Sequence, residues 1–124
     1  AFGRWLTENG KAAVEIAPCA AGACGRIVWL ADPLGPTGQP LKDRRNPDPA
    51  LQNRPVCGMA LLGGFTREAP GRWTGGTIYS AENGKTYSAN MAVEDGRLRL
   101  RGYVGVPLFG ETQVWTRDRG AGGC

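Results

Sequence analysis

The sequence predicts an all-β fold in which eight antiparallel strands run up and down in chain order and close into a barrel. Three observations carry this prediction. Hydrophobic and polar residues alternate with the period of two that places one face of a strand against a core. Turn signals recur about every ten residues. Twenty glycines and nine prolines are spread along a chain that is 41% hydrophobic, which favours a turn-rich folded domain over disorder.

The first three strands are separated by two short turns. Residues 3–7 and 12–18 flank Asn9-Gly10, a dipeptide typical of type I′ hairpin turns because both of its residues tolerate a positive φ. A short Ala/Gly loop at residues 20–23 then returns the chain into a third strand at residues 25–31. These three segments therefore form two consecutive hairpins.

A long proline-rich connection, residues 32–55, interrupts the strand pattern. It holds six of the nine prolines. Asp48 followed by Pro49 predicts one helical turn, with Asp48 as its N-cap and Pro49 at the first helical position. A connection of this length in a compact domain is either functional or disordered in most proteins.

The second half of the chain returns to alternating strands. Asn83-Gly84 and Asp95-Gly96 predict two further hairpin turns, the first again of type I′, while Gly75-Gly76 predicts a bulge or a tight bend. We expect a flexible tail at residues 118–124. Closure into a barrel removes exposed strand edges and leaves an interior filled by side chains or by one small ligand. The remaining predicted strands are residues 56–65, 72–80, 85–94, 97–103 and 111–117.

Composition narrows the classes of function. The chain has no histidine, which excludes Ser-His-Asp and Cys-His catalytic units and histidine metal sites. A net charge of +4 with interspersed acids is typical of a soluble surface, so we expect no nucleic-acid partner. No apolar run reaches the roughly 18 residues of a membrane span. We expect a single domain over residues 1–124 that begins as a processed mature chain would, although a trimmed chain would look the same.

The four cysteines, Cys19, Cys24, Cys57 and Cys124, predict disulfides formed in an oxidising compartment. A zinc site is the alternative, but C-x4-C spacing without histidine is a poor match to zinc ligand sets. A Cys19–Cys24 bond is the first expectation because the two residues border a short loop between strands. Cys57 and Cys124 are then left to form a second bond or to remain as two thiols.

Two resemblances add to this interpretation. Gly3-Arg4-Trp5 on the first strand, together with Arg117 on the last, resembles the lipocalin and calycin pattern, in which such an arginine packs over the tryptophan and closes one barrel end. Six blocks in order, from "GRWLTENGKAAVEIAPC" to "LRLRGYVG…TQVWTR", resemble the bacterial domain-of-unknown-function family 2147. That resemblance implies an exported, lipocalin-like barrel, periplasmic or secreted after removal of a signal peptide, and no established activity.

The inward face of the predicted barrel offers an aromatic and apolar lining. Four tryptophans are many for this length, and aromatic residues commonly line ligand pockets. We expect Trp5 and Trp115 to fill the core. Candidate ligand-binding residues in the lumen are Trp29, Trp73, Tyr87, Met91 and Leu100.

Polar candidates lie outside that lining. Asp43 and Asn46, in "KDRRNPDP" of the long connection, are candidates for binding, and Asp43 with Asp48 for hydrolytic chemistry. The alternative is that Asp43 and Asn46 only cap turns. Arg97, Arg99 and Arg101 form a ridge on the face opposite Leu98 and Leu100. It would serve either as a solvated outer face or as an anion site, with Arg101 as a further candidate ligand contact.

The sequence therefore predicts a protein that binds a small apolar or amphipathic ligand in the barrel lumen, with no cofactor and no metal. One alternative is an envelope interaction module with a filled core, whose outer surface and long connection bind a protein partner. A homodimer cross-linked through Cys124 is a further possibility. The third alternative, a carboxylate-dependent hydrolase, depends on Asp43.

Overall fold

The structure is a computed structural model. It describes residues 1–20, 22–35, 38–106, 108, 110–118, 120 and 122–124. Within them, eight strands form a closed antiparallel barrel in chain order, and the last strand pairs with the first. The predicted fold class is confirmed. The strands are β1 (Gly3–Leu6), β2 (Ala12–Cys19), β3 (Gly22–Leu30), β4 (Ala60–Ala69), β5 (Arg72–Ser80), β6 (Lys85–Glu94), β7 (Arg97–Tyr103) and β8 (Glu111–Arg117).

The two ends of the barrel differ in their connections. The lower end carries the start of β1, the end of β8 and the β2–β3, β4–β5 and β6–β7 turns. The upper end carries the other four connections, including the long one between β3 and β4.

The fourth strand begins later than its sequence pattern predicts. Residues 56–59 continue to exchange hydrogen bonds with β3, since Ile27 N donates to Met59 O and Gly58 N donates to Ile27 O. Gly58, however, adopts a φ of +87°, which is incompatible with an extended strand. The regular strand therefore starts at Ala60 and runs on to Ala69.

Two of the three predicted turns have a different geometry from the one expected. Gly10 and Gly84 each have a φ of +72°, but neither preceding asparagine has a positive φ, so these are not type I′ turns. The asparagine side chains instead accept a hydrogen bond from the backbone two residues on, at Lys11 N and Lys85 N. In Asp95-Gly96 both residues have a positive φ, as a two-residue type I′ connection requires.

The long connection packs against β3 and against the outward-facing Tyr79 of β5. It contains the predicted helical turn, a 3-10 turn at Pro49–Leu51 whose N-cap Asp48 accepts a hydrogen bond from Ala50 N. Val56 and Met59 form a second apolar cluster with Ile27, separate from the barrel core. Leu41, Leu61 and Tyr79 are among the side chains that pack against this cluster.

Two disulfides, Cys19–Cys24 and Cys57–Cys124, confirm the expectation of disulfide bonding and resolve the pairing that the sequence left open. The second bond ties down the C-terminal tail. Arg4, on the outer face of β1, pairs with Asp118 at 3.1 Å and donates to Gly122 O at 2.6 Å. The tail is therefore held at Arg4 on β1 and at Cys57, ahead of β4.

Candidate functional site

The lower end of the barrel is closed by an arginine and a tryptophan. The guanidinium carbon of Arg117 lies 3.9 Å from the ring centroid of Trp5, and its Nη1 donates to Phe2 O at 2.7 Å. Trp5 is fully buried and donates through Nε1 to Ala1 O. A Cβ on Gly3 would lie 2.5 Å from Arg117 Nη1, so the glycine of the G-x-W pattern leaves room for the arginine.

Large side chains fill the lower half of the interior. They belong to one cluster in which Trp5, Phe65, Leu98 and Trp115 are at most 1% exposed. Gly76 makes this packing possible, because a Cβ at that position would lie 2.5 Å from the Phe65 ring. These side chains therefore form the packed core of the barrel.

The upper half of the interior is open on the side of β5 to β8. A cavity of about 450 Å³ lies between β5, β6, β7 and β8, within the usual size range of small-molecule sites. Its apolar wall consists of Ile78, Leu100 and Tyr87. The polar lining contains Ser80, Glu82, Asn83, Glu111 and Gln113, and Tyr103 and Val104 line the rim.

Two hydrogen bonds hold polar groups of this lining in place. Asn83 Nδ2 donates to the hydroxyl of Tyr87 at 2.8 Å, which fixes the ring at the rim. Trp115 Nε1 donates to Gln113 Oε1 at 2.9 Å, so the tryptophan beneath the cavity orients the amide above it. The arrangement joins an apolar floor to a polar rim, as binding of an amphipathic guest requires.

The structure separates the five residues predicted to line the lumen. Tyr87 and Leu100 line the cavity. Trp73 and Met91 lie lower on the same inward face, at 7% and 3% exposure, in the filled half. Trp29 is half-buried on β3 opposite Ala13 and is not part of the cavity lining.

Asp43 and Asn46 lie outside the barrel, against β5. Asp43 is fully buried and accepts three hydrogen bonds, from Tyr79 Oη at 2.7 Å, Asn46 Nδ2 at 2.9 Å and Arg54 Nε at 3.0 Å. Asn46 Oδ1 in turn accepts from Asp48 N at 2.8 Å. This group, the Asp43 latch, fastens the long connection to the outward-facing Tyr79.

Electrostatics within the Asp43 latch favour the ionised carboxylate. Burial alone would raise the pKa of Asp43, but the hydrogen bonds from Tyr79, Asn46 and Arg54 hold it below its ordinary value. Burial and the bond to the Asp43 carboxylate raise the pKa of Tyr79. Protein donors occupy three of the roughly four acceptor positions of this carboxylate, a geometry that favours a structural role.

Arg101 lies on the outer face of β7. It is hydrogen-bonded through Nη1 to Thr112 Oγ1 at 2.8 Å and through Nη2 to Leu108 O at 3.3 Å. Arg99, on the same face, pairs with Glu94 at 3.1 Å. The arginine ridge therefore runs outside the barrel, and Arg101 supports the β7–β8 connection instead of the cavity.

The polar residues of the cavity were missed by sequence reasoning, although a signal exists. Glu111 and Gln113 alternate in phase with the buried Trp115 on β8, and Ser80 is in phase with Ile78 on β5. Polar side chains that continue a buried face mark the point at which an interior opens to solvent.

Two absences apply only to the part of the chain that the structure describes. It contains no group of three or more histidine, cysteine or acidic side chains arranged to hold a metal ion. It also contains no helix that is long and apolar enough to cross a bilayer.

Comparisons with known proteins agree with this architecture. A solved structure, titled "Protein HP1028 from the human pathogen Helicobacter pylori belongs to the lipocalin family", superposes with a TM-score of 0.83 at 24% identity. The match covers 94% of this chain and 82% of that one, and it shows a lipocalin-like fold. No curated protein matches the chain. Residues 3–117 match the family model described as "Uncharacterized protein conserved in bacteria (DUF2147)", and the chain therefore belongs to the DUF2147 family.

Proposed function

We propose that this protein binds a small amphipathic ligand in the upper half of its barrel. The observation that carries the proposal is the division of the interior, since the lower half is filled by core side chains whereas the upper half holds a cavity of about 450 Å³. Apolar atoms of Ile78, Leu100 and Tyr87 would receive the apolar part of the ligand. The polar rim would hold its head group.

The alternative of an interaction module requires a filled core, and the cavity favours ligand binding over it. The β7–β8 connection at the cavity mouth exposes Val104, Val106 and Leu108 at 72%, 50% and 78%. Such exposed apolar residues beside an opening suit a rim that an apolar guest crosses on entry.

The disulfides support a place outside the reducing cytoplasm. Disulfides persist in oxidising compartments, and in a bacterial family these are the periplasm and the extracellular space. We accordingly place ligand binding in the periplasm or the medium.

A glycine in the cavity wall offers a direct test. A Cβ on Gly102 would make ordinary contacts, 3.7 Å from Ile78 Cγ2 and 3.8 Å from Tyr87 Cβ, so a side chain there points into the cavity without a clash. We expect Gly102→Leu to fill the cavity and to abolish binding of the neutral fluorescent probe N-phenyl-1-naphthylamine, with thermal stability retained.

The matched control is Gly63→Leu. A Cβ on Gly63, which lies on β4 away from the cavity, would meet no atom within 4 Å. This variant should bind the probe as the parent protein does. If the parent protein does not bind the probe, or if Gly102→Leu binds it equally well, the upper cavity is not the binding site.

A further inference from the structure

The charged groups that line the upper cavity are all acidic. Glu82 lies in the turn between β5 and β6, and Glu111 is the first residue of β8, so the two carboxylates approach the cavity from different connections. Among the described residues, no lysine or arginine lines the cavity.

Neither carboxylate is neutralised by an ion pair within the described part of the chain, whose four ion pairs involve other acids. Arg45 donates a hydrogen bond to the backbone carbonyl of Glu82, but it does not line the cavity. Lys85 begins β6 on the same face as Tyr87, and it too lies outside the lining. The two negative charges are therefore available to a guest.

The two tyrosine rings of the lining have the same preference. Tyr87 and Tyr103 present aromatic rings, which attract cations through their negative faces. Gln113 does not add to this preference, because its Oε1 already accepts the Trp115 indole N–H and its remaining amide groups are donors. A carboxylate guest would meet two like charges and no cation, and like charges disfavour the ionised form.

We infer that the upper cavity selects a small cationic amphiphile, an ammonium group on an apolar body, over a carboxylate of the same size. The ammonium group lies between Glu82 and Glu111 at the rim, and the apolar body contacts Ile78 and Leu100. This inference rests on the proposed function, because it needs the cavity to be a binding site.

Three probes that share the same apolar chain distinguish ligand binding in the cavity from a preference for cations. Decylammonium, decanol and decanoate are titrated into the parent protein by calorimetry at neutral pH and low salt, below their aggregation concentrations. We expect decylammonium to bind more tightly than decanol, and decanol more tightly than decanoate. Added sodium chloride should reduce the preference for the cation, because salt screens exposed charges.

Substitutions assign the preference to the two carboxylates. Glu82→Gln and Glu111→Gln should each weaken decylammonium binding by about two- to fivefold, the range of exposed charge pairs, and leave decanol binding unchanged. Glu68→Gln, which removes the same charge from β4 outside this cavity, should change neither affinity. Thermal melting checks that each variant is folded.

Two outcomes overturn the inference while the proposed function stands. One is decanoate binding at least as tightly as decylammonium, with decanol bound. The other is a cation preference that survives in the Glu82→Gln, Glu111→Gln double variant. If none of the three probes binds, the proposed function itself fails.

Discussion

The hydroxyl of Tyr79 fastens the long connection to the barrel, and Tyr79→Phe removes only that hydroxyl. The ring remains, with its packing against the second apolar cluster and beneath the Arg54 guanidinium, whose carbon lies 5.5 Å from the ring centroid. What is lost is one hydrogen bond of 2.7 Å to Asp43, a carboxylate with 0% exposure. The variant therefore leaves a buried carboxylate with one donor fewer.

The expected loss follows from the charge on the acceptor. A hydrogen bond to a charged group contributes about 1.5–3 kcal/mol to the free energy of unfolding. The entropy of unfolding is about 2.1 cal/mol/K per residue. Over 124 residues, Tyr79→Phe should therefore lower Tm by about 6–12 °C.

Differential scanning calorimetry measures this change, with Tyr87→Phe as the control. The Tyr87 hydroxyl accepts from an exposed amide, so its removal should cost under about 1 kcal/mol. Equal shifts in Tm for the two variants would refute the argument, because they would show that burial and charge at Asp43 add nothing.

The same carboxylate gives a signed pH dependence. The pKa of Asp43 in the folded protein lies below its ordinary value of 3.8, so its contribution to stability is present above that value. It is lost as pH falls through the folded pKa. Tyr79→Phe removes a donor that lowers this pKa, so the loss of stability in acid should begin at a higher pH. Asp43→Asn should remove the contribution of this carboxylate to the pH dependence of stability. A denaturant titration between pH 2 and 7 that shows parallel profiles for all three proteins would contradict the assignment.

Two further predictions concern the covalent and steric constraints of the barrel. Serine at both Cys57 and Cys124 should lower the free energy of unfolding by up to about 4 kcal/mol in urea titrations, because the disulfide closes a loop with a separation of 67 residues. An unchanged urea midpoint would argue against this disulfide. Gly76→Ala should lower the free energy of unfolding by about 1–3 kcal/mol in the same titrations, because the new Cβ would meet the Phe65 ring. Gly63→Ala, with open space around the new Cβ, should be neutral or slightly stabilising. Similar changes for the two variants would contradict the packing of Phe65 against Gly76.

The fold was predictable because its signals are local. Alternation along β6 and β7 and the turn dipeptides at their ends place each strand within a few residues. The details that failed depend on backbone conformation. The residues "VCGM" do not indicate that Gly58 adopts a positive φ, so the later start of β4 could not be predicted. The Asn-Gly dipeptide is compatible with more than one turn geometry, so the turn type could not be predicted either.

The candidate site was only partly predictable, because depth along a strand is not a local property. Alternation puts Tyr87 and Met91 on the same inward face, but it does not say that the barrel is filled around Met91 and open around Tyr87. Likewise, the partners in the Asp43 latch, Asp43 and Tyr79, are 36 residues apart, and only the folded long connection brings them together.

The Cys57–Cys124 bond also determines how the protein would bear mechanical load. A pulling force applied at residue 124 passes directly to Cys57, ahead of β4, so the segment that contains β4 to β8 lies inside a covalent loop and carries no tension. Only the chain before Cys57 can be stretched. Extension by optical tweezers would fall short of the reduced protein's extension by roughly 220–240 Å, the contour length of the 67-residue separation at about 3.3–3.6 Å per residue. In the oxidised protein, five of the eight strands would thus be shielded from force at that terminus.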